Sequence, residues 1–423
     1  MDRRSFLGSA AGLVAASAAP DAPLPPHIQR PRELALAALG AGPSQVQRGL
    51  ELHADALVIE PYGFSPRSAP DGDAVRRAVE AGASAIEIED LTEEMRLTRH
   101  AVDAAAREEY LRAWQASGVT CIFQNAGQES QDPLCLVKRL AHFTYTVDLL
   151  GDFVARVVRP ADILAAHRLR RRCLAMGMCG VPLTQRWISV EDELHYIRLF
   201  HQLGVRMMHL TYNRRNMLGD GCGETADAGL SDFGRAAVAE MNRVGVIVDV
   251  AHSGRRTSLE AAKASRKPMI ASHTVCAALH EHIRAKPDEV IRAIVDTGGF
   301  VGICAVTPFL GRTGDICAVL DHIDYVAKKF GADSVAVATD LGYNAERSGE
   351  EFRKIPDRRR RPFWEEFWPG DAYPYSAPWH PTLTWTNWPM FTVGLVQRGY
   401  SETDIRKILG GNALRVFTAA TAA

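Results

Sequence analysis

Two histidines close two consecutive apolar runs: Val246–Val250 leads to His252, and Pro268–Ala271 leads to His273. Short apolar runs of this kind read as buried strands. The segment between them, Arg255–Lys267, has the pattern of a helix. Strand, helix and strand make a βαβ unit, which sets the two strands parallel and both imidazoles at the same end. In parallel barrels the C-terminal end of the strands carries the chemistry. Two neutral imidazoles a strand apart suit one shared divalent metal. Either ring could instead be a hydrogen-bonded core histidine, so the pair needs company before it counts as a site.

The elements that would position the pair recur along the chain. Strand patterns fall at Ala56–Glu60, Val119–Phe123, Arg172–Met178, Arg206–Tyr212, Phe300–Ala305 and Ser334–Thr339. Helical patterns separate them, including Thr92–Ser117, Val190–Leu203, Asp288–Thr297 and Ala318–Phe330. Ser231 stands as N-cap of a helix over Ser231–Val244. Strands alternating with helices and no antiparallel block predict an α/β fold, a (β/α)₈ TIM-type barrel. Tyr212 and Asp340 then sit at strand ends, on the same face as the histidines. The expected organisation is a leader over 1–18, an arm over 19–50 and one barrel domain over 51–423. An aromatic and proline-rich insertion near 350–386, with a basic run at Arg358–Arg361, breaks the rhythm. Such a loop reads as a lid, or as a surface packing on a second copy in a homodimer.

Composition bounds the partners. The 423 residues are 47% hydrophobic and 23% charged, with a net charge of -1. That balance argues against nucleic acid as a partner. No apolar run beyond the N-terminus is long enough to span a bilayer. Asp2–Leu7 resembles a twin-arginine export signal, followed by an apolar stretch to Ala15 and an A-x-A-like site at Ala16–Ala18. The expected location is therefore periplasmic or secreted. Eight cysteines form no CxxC pair, which excludes a zinc ribbon. Cys121, Cys276 and Cys304 read as buried thiols, and Cys173 with Cys179 as a candidate disulfide.

With these motifs in place, the chain resembles the membrane (renal) dipeptidase family of metallopeptidases. Gly229–Gly234 is similar to that family's GL(S/T)xFG stretch. Met241–Gly245 with Val248–Ser253 is similar to MNRLG…DxSH, and Ser272-His273 to its SH stretch. Arg284 with Pro287–Glu289 is similar to RNxPDD, and Gly410–Phe417 to the GGNxxRVF terminus. The resemblance spans roughly residues 50–420 and implies a (β/α)₈ barrel. It implies that His252 and His273 ligate zinc, that Asp340 stands beside the attacking water, and that Arg284 holds the substrate carboxylate. Asn213, next to Tyr212, falls among the substrate-binding residues. A planar guanidinium suits the carboxylate role because it meets the group bidentately.

Several family positions hold other residues here. The family's first strand ends in an HxD pair of metal ligands; this chain has Tyr62 and Phe64 there. A literal HxD, His53–Asp55, precedes the strand. Gln185 stands where the family bridges two metals with a glutamate, and an amide carries no charge for that task. Tyr212 replaces a histidine that hydrogen-bonds the tetrahedral intermediate, a role a phenol can fill. Two zinc ions want several anionic ligands, whereas Asp340 is the one carboxylate counted. The expectation is one zinc rather than two, between His252 and His273, with Gln185 or water completing the shell. The expected function is hydrolysis of a small amide or dipeptide, with Asp340 as general base and Tyr212 at the oxyanion. The alternatives are a lyase, isomerase or maturation enzyme on the same barrel using Tyr212 and Asp340 without metal, and an inert binding protein.

Overall fold

The structure is a computed structural model that describes residues 23–127, 133–356 and 379–422. The expected leader over 1–18, the Arg358–Arg361 run and most of the aromatic insertion lie outside the described residues.

Eight parallel strands form the frame. They are β1 (Ile59–Arg67), β2 (Cys121–Asn125), β3 (Arg172–Met178), β4 (Val205–His209), β5 (Ile247–Asp249), β6 (Ile270–Cys276), β7 (Phe300–Ile303) and β8 (Val335–Val337). They pair in the order β1 to β8, each beside its sequence neighbour. Helices fill the connections, which gives the expected (β/α)₈ arrangement. Two smaller strands, Val154–Val157 and Ala285–Lys286, lie beside β3 and β6.

Alternation along the strands sorts the core into two layers, because successive side chains point to opposite faces. Cys121, Phe123, Cys173, Ala175, Ile247, Phe300 and Ala336 share one cluster. Ile122, Leu174, Met176, Val248, Val301, Val335 and Val337 belong to the other, which packs against the helices. The final helix, Asn412–Thr421, joins the first cluster through Ala413, Val416 and Phe417. The Phe417 ring meets Phe123 edge-on at 5.6 Å.

The barrel closes through an interrupted last strand. β8 pairs with β7, and the chain then turns so that Gly342–Asn344 pairs in parallel with β1. The gap between these two ladders is filled by Glu60, whose Oε1 accepts from Thr339 N at 2.7 Å.

Three sequence expectations shift. β1 starts at Ile59, later than expected, and runs through Pro61, Tyr62 and Phe64. Proline has no N–H for the ladder, and the β1–β2 register slips between Glu60 and Gly63. The helix expected over Thr92–Ser117 is two helices, Ala85–Val102 and Ala104–Ser117. Asp103 breaks it by turning extended and capping the second helix at Ala106 N, 2.9 Å away. The Cys173–Cys179 disulfide is not formed. Cys173 lies near the start of β3 and Cys179 just past its end, so about six residues of extended chain, roughly 20 Å, separate them.

Candidate active site at the barrel mouth

The strand ends bring the two histidines together. His252 lies just past β5 and His273 within β6, and their Nε2 atoms stand 2.9 Å apart. Both rings are buried. His252 Nδ1 faces Asn213 Oδ1 at 2.7 Å, and His273 Nδ1 faces Ser272 Oγ at 2.8 Å. Burial, reinforced by the Arg284 charge, holds both imidazoles well below their ordinary pKa. Both are therefore neutral at pH 7.

Arg284 is wholly buried against them. Its Nη1 donates to Ala251 O, and its Nη2 donates to His273 O at 3.1 Å. The same Nη2 stands 3.2 Å from His252 Nε2. Lys286 adds a second buried cation, with Nζ donating to Ser253 O at 2.6 Å, and burial lowers its pKa to about 8.

Aromatic rings wall the pair. Tyr212 stacks on His252 with centroids 4.2 Å apart, and Tyr62 stacks on His273 at 3.9 Å. The Tyr62 hydroxyl meets Cys179 Sγ at 2.7 Å. Asp340 approaches from the β8 side, with Oδ2 4.0 Å from His273 Nε2. Its side chain keeps 22% exposure while the histidine it faces has none. Asn213 and Asp340 both hold left-handed backbone, at φ 47° and 59°. Such strain costs of order 1–3 kcal/mol per residue and gathers at functional sites.

Not every expected residue joins this group. Gln185 is exposed. Its backbone N–H donates to Glu193 Oε2 at 3.1 Å, on the loop before the helix Val190–Gln202, and no described contact links it to the histidines. Its backbone is left-handed, at φ 59°. His53 is structural: its ring nitrogens face Thr392 Oγ1 at 2.7 Å and Ser117 O at 2.9 Å. Asp55 pairs with Arg406 at the surface. Asn213, expected to bind substrate, meets His252 Nδ1 through its Oδ1.

Sequence reasoning passed over His209 and Asp249. They sit opposite each other on β4 and β5, with His209 Nε2 2.8 Å from Asp249 Oδ2, both fully buried. Burial pushes the Asp249 carboxyl up, but the His209 charge and the Ser272 backbone N–H outweigh it and hold it low. Asp249 Oδ1 also accepts from Ala251 N and Ser272 N, at 2.8 and 3.0 Å. It thus braces the backbone before both site histidines. The signal was present, since a histidine and an aspartate at matching ends of neighbouring apolar strands must find partners.

A parallel barrel that gathers a histidine pair, an arginine and a carboxylate at its C-terminal mouth has the layout of a barrel enzyme. The membrane dipeptidase family (peptidase family M19) matches residues 115–356, and the chain belongs to that family. Dipeptidase tcpJ of Claviceps purpurea is 26% identical over 276 residues, covering 64% of this chain and 56% of that protein. Dipeptidase aclJ of Aspergillus oryzae is 29% identical over 228 residues, covering 52% and 46%. The chain spans about half the length of these curated relatives. Among solved structures, an amidohydrolase from Pseudomonas aeruginosa is 28% identical, with a TM-score of 0.65, covering 88% of this chain and 98% of that one. The probable dipeptidase PvdM from Pseudomonas aeruginosa shares the fold at 18% identity and a TM-score of 0.63, covering 89% and 98%.

Membership of this family implies a metal cofactor. The residues at the mouth do not fit the family's two-ion centre. Two nitrogens on one tetrahedral zinc stand about 3.3 Å apart, wider than the 2.9 Å between the two Nε2 atoms. Tyr62 and Phe64 offer no carboxylate or imidazole, and Gln185 is elsewhere. Among the described residues, the group of carboxylates close enough to share an ion is Asp71, Asp73 and Glu351. That group includes neither site histidine and already holds the Lys354 ammonium.

Proposed function

We propose that the chain is a hydrolase of the membrane-dipeptidase kind, acting on a small amide or dipeptide at the barrel mouth. The observation that carries this reading is Asp340, a partly exposed carboxylate held beside the buried histidine pair. A carboxylate that solvent can reach is suited to take a proton from water as general base. The Tyr212 hydroxyl, on the ring stacked over His252, would donate to the oxyanion. Arg284 Nε is buried and has no hydrogen-bond partner among the described residues. Together with the Lys286 ammonium it would attract a substrate carboxylate. The names of the curated relatives, dipeptidases, support the substrate class.

A single zinc, if bound, has His252, His273 and Asp340 as its donors, and family membership supports it. The contacts among these side chains do not, so no step here is routed through it. A second reading, proton-transfer chemistry of the lyase or isomerase type, is favoured by Tyr62 stacked where the family places ligands. A panel of dipeptides, assayed with chelator and with added zinc, tests the main reading. Turnover is expected, and none under any condition would leave the second. Export by the twin-arginine route and a homodimeric state are further proposals, open to cell fractionation and light scattering. Among the described residues no helix is long and apolar enough to cross a membrane.

A further inference from the structure

We propose that Arg284 occupies the ion's place: its guanidinium latches the two histidines into a closed hydrogen-bonded set that excludes a divalent metal. The latch concerns the histidine pair alone and does not rest on the hydrolase reading.

The donors and acceptors settle into one consistent arrangement. Guanidinium groups only donate. His252 Nε2, 3.2 Å from Arg284 Nη2, is therefore the acceptor and carries no proton. The His252 proton lies on Nδ1, aimed at Asn213 Oδ1. His273 Nε2 is 2.9 Å from the same lone pair and must donate to it. His273 Nδ1 then accepts from the Ser272 hydroxyl. All four ring nitrogens are used, and each neighbour fits the role left to it.

A metal on this pair needs both Nε2 lone pairs. It would have to displace the His273 Nε2 proton and break the Arg284 contact, leaving a buried guanidinium short of an acceptor. It would also sit beside Arg284 and Lys286, two cations with almost no exposure. Like charges repel strongly where water is excluded. Asp249, the fully buried carboxylate nearby, is committed to His209 and two backbone N–H groups. The Tyr62 ring, lying on His273 with an interplanar angle of 17°, covers that side.

The test titrates the full folded chain with cobalt(II) and with zinc, read by d–d absorption and calorimetry. The wild type is expected to bind neither ion stoichiometrically at micromolar concentration. Arg284→Met is expected to gain at least about tenfold in cobalt affinity and to lose that gain when His252→Ala is added. If Arg284→Met does not fold, the wild type decides alone through nitrogen NMR of labelled histidines. His252 should show Nδ1–H and His273 Nε2–H, with neither changed by zinc. One zinc per wild-type chain, lost in His252→Ala, would overturn the proposal. A folded Arg284→Met that gains no affinity overturns it too, as do ring nitrogens that lose their protons when zinc is added. None of these measurements reads dipeptide turnover, so their failure leaves the hydrolase reading standing.

Discussion

Glu60 on β1 and Thr339 beyond β8 are joined by two hydrogen bonds: Oε1 accepts from Thr339 N at 2.7 Å and from Thr339 Oγ1 at 2.5 Å. Oε2 accepts from the indole N–H groups of Trp385 and Trp388 at 2.8 and 2.9 Å. One buried carboxylate thus spans the barrel seam. Asp340 follows Thr339 directly, so the same contact fixes the backbone that presents the proposed general base.

Glu60→Ala would leave four buried donors without that acceptor. An unsatisfied buried group costs about 1–3 kcal/mol, so a total loss of at least about 3 kcal/mol is expected in urea unfolding. Glu60→Gln, which keeps one acceptor oxygen, should lose less. Both should lower activity, because the Asp340 backbone loses its anchor.

Asp340→Asn keeps the shape and removes the base. General base catalysis contributes about 10²–10⁴-fold, so kcat should fall by that order while circular dichroism and the melting temperature stay close to wild type. An unchanged kcat would remove Asp340 from the mechanism.

Tyr212→Phe keeps the ring stacked on His252 and deletes the hydroxyl. Loss of one oxyanion donor typically costs about 10²–10³ in kcat. The decrease should appear in kcat with KM little altered. A change confined to KM would instead make Tyr212 a substrate-binding residue.

Stability should fall in acid through histidines buried neutral. Burial lowers His53 from 6.5 to about 4 and His100 to about 3. Between those values and 6.5 the unfolded chain binds more protons, so stability rises with pH across the window and is lost as pH falls through it. At about 1.4 kcal/mol per unit, His53 alone contributes about 3 kcal/mol as an upper bound. Glu60 opposes this trend, since burial raises it to about 7. Its contribution is full below about 4.5 and disappears as pH rises through 7. Two histidines against one glutamate leave the net slope positive, so calorimetry at pH 4.5 should show a lower melting temperature than at pH 6.5. Replacing His53 by Gln should flatten part of that slope.

All eight barrel strands were legible in the sequence, because apolar runs of four to eight residues broken by helical periods leave few other folds. Tyr212, His252, His273, Arg284 and Asp340 were legible as site residues, since strand ends and family motifs mark them. The full extent of β1 was not, because Pro61 interrupts the pattern and hides the strand continuing to Arg67. The helix Trp388–Gln397 is apolar almost all round and buried, so it shows no amphipathic period. Gln185 was misplaced because alignment spacing carries no information about loop direction.

What the sequence determined by itself is the frame and the identity of its mouth: local periodicity dictates strands and helices, and their parallel order sends chosen side chains to one end. What only the tertiary structure decided is who faces whom there. The His209–Asp249 brace, the Arg284–His252 contact and the Glu60–Thr339 seam each join residues far apart along the chain. Their partners are chosen by distance and by the need to satisfy every buried donor, and neither quantity is written in one dimension.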